Sequence, residues 1–425
     1  MITRRALLAA LAARRVSDWV LTQRTQEIAW IDEGGPLRRT EQRTRTTLLV
    51  HHDLPQGRGS ARLELGALEA DAGGAVERAL ALASAAVGPA WRSPASAAPA
   101  RVQLLDPALD PATVTTPLLE LGAAALTRLR RPTGVTTEVA LELLREQVEV
   151  EAHGGFKARW AASTASARAL VTTSTHGLEL MRGARRLDDL ALADALSDAA
   201  ADLAALAAAS APTPGRCAVI LRADALLHGG GLGVWRVFAD QASAEIERQG
   251  LTRYRPASAI TAGADQLDEP LSITSDGALA FGLASAPLGD DAGAVRRFAL
   301  IERGMATGLG LSTREAARRG REPNGGVRNL VVAPGTWRDE PPAVRTLDVR
   351  RLHALTIEPD TGEATLEIAL ALEREGTAAR PVTGGTLRID LVDALARAHR
   401  SEAPLRRGAY VGPAALVLAD VDVLA

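Results

Sequence analysis

The sequence predicts an α+β protein with an N-terminal α/β-type domain on a mixed sheet and a C-terminal, largely antiparallel β domain with few helices. Three observations predict it. The chain has 425 residues, about two to three times the usual domain length, which argues for two domains. The first half alternates strand-type and helix-type patterns, whereas the second is strand-dominated. Between them Ala209–Gly215 (ASAPTPG) has the Pro, Ala and Ser content of a linker. The expected domains are therefore 1–211 and 212–425.

Taken in order, Leu7, Leu8 and Leu11 fall at helical spacing behind Thr3, an N-cap residue. Arg4–Arg5 before this run imitates a twin-arginine signal. The run stops at Arg14–Arg15, near the lower limit for a signal core, so a folded first helix is the better reading. Trp19–Asp32, Arg39–His51 and Ser60–Leu65 read as strands, with turns at Asp32-Glu33-Gly34-Gly35 and Gln56-Gly57-Arg58-Gly59. Asp71 caps a helix carrying Val76, Leu80, Ala83 and Val87 on one face, and Gly88–Pro89 stops it. Residues 89–116 read as loop with one short strand, and Thr137–Glu146 as a helix. Further strands run through Val148–Trp160, Ala169–Thr173 and Leu178–Met181, followed by a helix bearing Leu192, Leu196, Leu203 and Leu206. In the second half Cys217–Leu221 is a buried-type run. Val295–Ile301 and Met305–Leu311 form a hairpin about Arg303–Gly304. Leu366, Ile368, Leu370 and Leu372 alternate strictly after the Asp360-Thr361-Gly362 turn, and Leu391–His399 is a short helix.

Composition excludes several functions. A net charge of −2 supplies no basic stripe for nucleic acid. No apolar stretch approaches the ~20 residues of a membrane span. Cys217 is the sole cysteine, so there is no intrachain disulfide and no thiolate zinc knuckle, which fits a cytoplasmic setting. Neither GxGxxG nor GxxxxGK[ST] occurs, which leaves nucleotide binding by those loops unsupported.

Two polar segments stand out. The first is Leu226–Asp240, LLHGGGLGVWRVFAD. A peptidase zinc helix places Glu directly after its first His and a second His one turn on; here Gly229 and Gly233 follow His228. One imidazole is not a site, because catalytic zinc takes three protein ligands plus water. A run of glycines also opposes a stable helix, at ~1 kcal/mol each against Ala. His-Gly-Gly-Gly resembles a lipase oxyanion loop too, but no GxSxG elbow accompanies it. The second segment is Asn324-Gly325-Gly326-Val327-Arg328-Asn329, before the apolar run Leu330–Ala333. There Arg328 has the planar fork to hold a carboxylate or a peptide carbonyl, or it is a loop arginine neutralised by a local acid. Asp290–Asp291 lies in a turn composition. The remaining histidines are scattered singly, and Glu245 and Glu247 read as the solvent face of an amphipathic helix.

From Asp224 onward the chain resembles the TldD/PmbA family, first described as modulators of DNA gyrase and now regarded as peptidases. The resemblance lies in ordered segments: Leu271–Gly320, Gly325–Gly335 (GGVRNLVVAPG) and Ala409–Leu418 (AYVGPAALVL). The first half agrees in layout only. In this family the TldD-type subunit carries HExxxH and a later Cys as zinc ligands, and the PmbA- or TldE-type partner lacks them. By position the first His falls on His228, the Glu on Gly229 and the second His on Gly233. No Cys lies near Arg406–Gly412, and Cys217 is upstream. The resemblance thus implies a TldE-type, non-catalytic subunit of a cytoplasmic heterodimer that degrades or trims flexible peptides. Zinc is expected in an HExxxH-bearing TldD-like partner, with no metal, cofactor or catalytic residue in this chain. His228, Gly229, Gly233, Asn324, Arg328 and Asn329 are then expected along the cleft. Two other readings stand beside it: a stand-alone peptide-binding or regulatory homodimer, and a self-sufficient peptidase with an unusual metal site.

Overall fold

In the computed structural model, which describes residues 3–33, 38–66, 70–93, 96–338, 340 and 345–424, the first sheet is built from long strands whose alternation sends one side chain set to helices and the other to the second half of the chain. Thr3 caps α1 (Arg4–Ala13), its side chain accepting from the Ala6 N–H at 3.2 Å. Then come β1 (Asp18–Asp32), β2 (Arg38–Leu54), β3 (Gly57–Leu65), α2 (Ala72–Ala85), β4 (Val87–Gly88), α3 (Leu118–Arg128), β5 (Thr136–Ala152), β6 (Phe156–Thr172), β7 (Gly177–Ala184) and α4 (Leu192–Leu206). The sheet order is β4-β3-β2-β1-β5-β6-β7. Every pair in it is antiparallel. The overall α+β class is as expected, but the mixed α/β sheet is corrected: these connections are hairpins and loops, and none is a βαβ crossover.

Leu21, Leu48 and Val50 pack beneath α1 and α2, and Ile31, Leu141 and Leu143 beneath α3 and α4. Val20, Val148 and Val150 point to the opposite face and meet Ala292 from the second half. All four helices therefore cover one face. The other is turned toward the loop that follows Phe281.

Several expectations fail here, the first for a clear reason. Thr137–Glu146 is strand, and the missed helix α3 lies just before it. The segment TEVALELLRE is rich in helix formers, but Val139, Leu141 and Leu143 are buried at period two between β1 and β6. Packing overrides propensity. Residues 96–116 contain a single 3₁₀ turn, Pro107–Leu109, in place of the expected strand. The turn placed at Gln56–Gly59 is a two-residue one at Pro55–Gln56. Gly34 and Gly35 lie outside the described residues.

The second half holds two sheets. One joins Met305–Ala306, Arg297–Glu302, Ile273–Asp276, Asn329–Val332, Tyr410–Pro413 and Pro404–Arg407 in that order. The other runs Thr346–Ile357, Gly215–Arg222, Ala415–Leu424, Thr386–Asp390, Glu363–Glu375 and Ala378–Val382. Because Thr346–Ile357 also pairs with Glu363–Glu375, five of these strands close into a ring. Both sheets are largely antiparallel, each with one parallel pair. The main core lies between them, around Trp235, Phe238 and Tyr410.

Candidate functional site

The strand Gly215–Arg222 delivers the chain into one helical turn, Ala223–Leu226, then two 3₁₀ turns at His228–Gly230 and Gly233–Trp235. Ala225, Leu226 and Leu227 on one side and Val234, Trp235 and Phe238 on the other are buried. Both flanks are thus anchored in the core, and the glycines take up the reversal between them. Gly229 and Gly233 have φ of 79° and 54°, in the left-handed region that costs an L side chain about 1–2 kcal/mol. A Cβ on Gly233 would overlap the Leu226 carbonyl, whereas one on Gly229 would meet nothing within 4 Å. A zinc-binding HExxxH needs a continuous right-handed turn across these positions, and this backbone does not make one.

His228 is half-buried at the rim of two cavities. One, of about 440 Å³, is bordered also by Met181, Arg182, Asp224, Arg351 and His353. The other, of about 290 Å³, brings His228, Gly229 and Gly233 together with Arg236 and Asp240. Burial, and then the neighbouring His353, lower the His228 pKa. Two imidazoles do not complete a zinc site. Among the described residues no three His, Cys, Asp or Glu side chains converge as metal ligands. Cys217 is buried in its strand, and burial raises its thiol pKa. The residues present do not fit a catalytic zinc.

Asp224, absent from the sequence-based expectations, is the electrostatic centre of this region. Its Oδ1 accepts from Arg182 at 2.7 Å and Arg407 at 2.5 Å, and its Oδ2 faces Arg351 at 2.7 Å. Burial pushes the carboxyl upward, but Arg182, Arg351 and Arg407 outweigh it and hold Asp224 below the usual carboxylate range. Arg351 continues to Asp202 on α4 at 2.7 Å, which Arg350 also reaches at 3.2 Å. The network ties β7 and α4 to the second half. No local spacing announces it, since its members come from five separate segments.

The second candidate segment is fixed differently. Asn329 is fully buried. Its amide donates to the Asp276 carbonyl at 2.6 Å and to Ser285 Oγ at 2.8 Å, and its carbonyl accepts from the Ala284 N–H at 3.0 Å. Asn324 accepts from Leu311 and Gly326 and donates to the Leu309 carbonyl. Both asparagines thus direct their side chains into the chain's own loops. Arg328 is half-buried and, among the described residues, spends only Nε, on the Gly325 carbonyl at 2.8 Å. It lines a cavity of about 400 Å³ with none of His228, Gly229 or Gly233. Leu283 borders both this cavity and another that contains Gly229.

This arrangement has counterparts among known proteins. Residues 214–424 match the model of the PmbA/TldA metallopeptidase C-terminal domain. Solved structures extend the likeness of fold to the whole chain. A Thermotoga maritima protein described as a candidate modulator of DNA gyrase superposes with TM-score 0.74 at 16% identity, covering 99% of each chain. A Bacteroides thetaiotaomicron protein with a like description gives 0.74 at 13%, covering 100% of each. TldE from Thermococcus kodakarensis gives 0.72 at 15%, covering 98% of this chain and 99% of its own. No curated protein sequence matches the chain. No helix among the described residues is long and apolar enough to cross a membrane.

Proposed function

We propose that this protein is the non-catalytic, TldE-type subunit of a TldD/TldE-type peptidase, shaping a cleft for a flexible peptide that a partner's zinc cleaves. The observation that carries the reading is the left-handed backbone at Gly229 and Gly233, with Gly233 pressed on the Leu226 carbonyl. This chain has neither a Glu base nor a second His ligand at those positions, and Gly233 leaves no room for a side chain. A hydrolytic zinc needs both a metal-held water and a base within hydrogen-bond reach. The domain match and the likeness to a TldE fold support the same assignment. The partner is then an HExxxH-bearing, TldD-like chain, and the setting is cytoplasmic. The net charge of −2 argues against DNA binding in either role.

The test is reconstitution. The isolated chain is expected to hold no stoichiometric zinc by elemental analysis and to leave casein fragments intact. Addition of an HExxxH-bearing homologue restores chelator-sensitive hydrolysis. Chelator-sensitive hydrolysis by the chain alone would overturn the proposal. If no HExxxH-bearing chain co-purifies and the protein forms a homodimer, the stand-alone binding role takes its place.

A further inference from the structure

The cavity beside Arg328 lies between the helix-free face of the first sheet and the loop at 283–290. Thr22 and Arg24 of β1 reach it, as do Glu146 and Val150 of β5 and Trp160 of β6. Thr22 pairs with Val150 and Arg24 with Val148, so these side chains share one face. Its walls carry four arginines, Arg24, Arg62, Arg185 and Arg328, against two carboxylates, Glu146 and Asp290. Each carboxylate already has an arginine. Arg24 meets Glu146 at 3.3 Å and Arg62 meets Asp290 at 3.1 Å.

Arg328 has no carboxylate partner among the described residues, and Arg185 feels only Glu146, which Arg24 already holds. Arg185 is directed at carbonyls alone: those of Ser163, Leu283 and Ser285 at 3.1–3.2 Å, and of Gly282 at 3.5 Å. Its burial, the largest influence on it, lowers its pKa. It supplies a fixed field and has few donors to spare. Arg328 is complementary, because only its Nε is used and both Nη groups lack a hydrogen-bond partner among the described residues. A guanidinium fork with two free ends is shaped for a carboxylate. Apolar wall stands beside the charge at Leu104, Leu283 and Trp160. That pairing of cation and apolar surface selects an organic acid over a bare inorganic ion.

We infer that this cavity is a binding site for the carboxylate end of a peptide whose last residue is apolar, with Arg328 forking the carboxylate, Arg185 supplying field, and Trp160 and Leu104 against the side chain. The inference rests on the peptide-handling role proposed above and names where the chain itself would grip a peptide.

Calorimetric titration of the full chain alone tests it. The probes are acetyl-Ala-Ala-Leu, the same peptide amidated at its end, N-acetyl-leucine and inorganic phosphate. The free-acid peptide is expected to bind at one per chain, and the amide at least tenfold more weakly. Arg328→Gln should weaken the acid at least tenfold, and Arg328→Lys should fall between. Equal binding of acid and amide, no binding of the acid, or indifference to Arg328→Gln would each overturn the inference. So would Arg328-dependent binding of phosphate, or of N-acetyl-leucine, tighter than the peptide. Arg185→Gln is a second variant. Because Arg185 braces several carbonyls, it is read only if its melting transition stays cooperative, and loss of acid binding there agrees with the field role. No partner is needed, so the two proposals separate. Binding without partner-dependent hydrolysis breaks only the earlier one, and hydrolysis with acid and amide bound alike breaks only this one.

Discussion

The loops at 228–233 and 324–329 are both glycine-rich turns with left-handed glycines between apolar elements, yet only the second is also tied down by its own side chains. In the first, three positive φ values and a contact too close for a Cβ define the path, and His228 is left at a cavity rim. In the second, Asn324 and Asn329 make six hydrogen bonds between them, leaving Arg328 as the side chain with donors to spare. Polar residue density therefore does not mark a site by itself. In each loop one side chain faces a cavity while its neighbours build the support.

The sharpest way to break this comparison is Asn329→Ala. It removes three buried hydrogen bonds and takes this partner from the Ala284 N–H and the Asp276 carbonyl, while Ser285 Oγ keeps its bond to the Leu279 carbonyl. At ~1–3 kcal/mol for each buried group left unpaired, a loss of about 4 kcal/mol is expected in denaturant unfolding. A loss below about 1 kcal/mol would remove Asn329 from the supporting role. Gly233→Ala comes next, at about 3 kcal/mol, combining left-handed strain with a backbone collision. Gly229→Ala, with open space around it, should cost only about 1 kcal/mol. Equal losses at the two glycines would mean that the loop relaxes as a whole.

Two histidines extend the contrast to pH. His51 is buried, its Nδ1 2.7 Å from Ser60 Oγ and its ring edge-on to Trp91 at 4.9 Å. Burial lowers its pKa from 6.5 to about 4. The unfolded chain then takes up the proton first. Stability from this group is full above pH 6.5 and falls as pH drops from 6.5 toward 4, by at most about 3 kcal/mol. His51→Phe should flatten that slope in urea titrations across this range. His228 is only half-buried, and its pKa is lowered in the same direction, so His228→Phe should change the slope less. The smallest expected effect is on stability at Arg328. Arg328→Lys should shift unfolding by no more than about 0.5 kcal/mol, as for a surface position, while weakening partner assembly or peptide turnover. A larger loss in unfolding would make Arg328 a structural residue.

Much of the fold was legible because its strands alternate cleanly. Leu366 to Leu372 is the plainest case, and α1 was legible through Thr3 and its leucines. The β5 segment was not, because Leu, Glu and Ala favour helix locally and only the flanking strands decide otherwise. At the candidate site, Gly229 and Gly233 could be read as the wrong residues for a zinc helix. Asp224 could not be found, since its significance comes from arginines contributed by β7 and two later strands. His353 reaches His228 in the same way, through tertiary packing with no sequence spacing to reveal it.

The ring of five strands has a consequence for biosynthesis. Ala415–Leu424 sits inside it, hydrogen-bonded to Gly215–Arg222 on one side and Thr386–Asp390 on the other. Gly215–Arg222 leaves the ribosome first of these strands, and the segment that closes the ring leaves last. During translation the apolar run Cys217–Leu221 lacks both neighbours until Thr346–Ile357 is made, and one of them until Ala415–Leu424 follows, and so presents a raw edge. The nascent chain is thus exposed to aggregation until its final strand arrives, and a ribosome stalled before Ala415 would carry an opened ring.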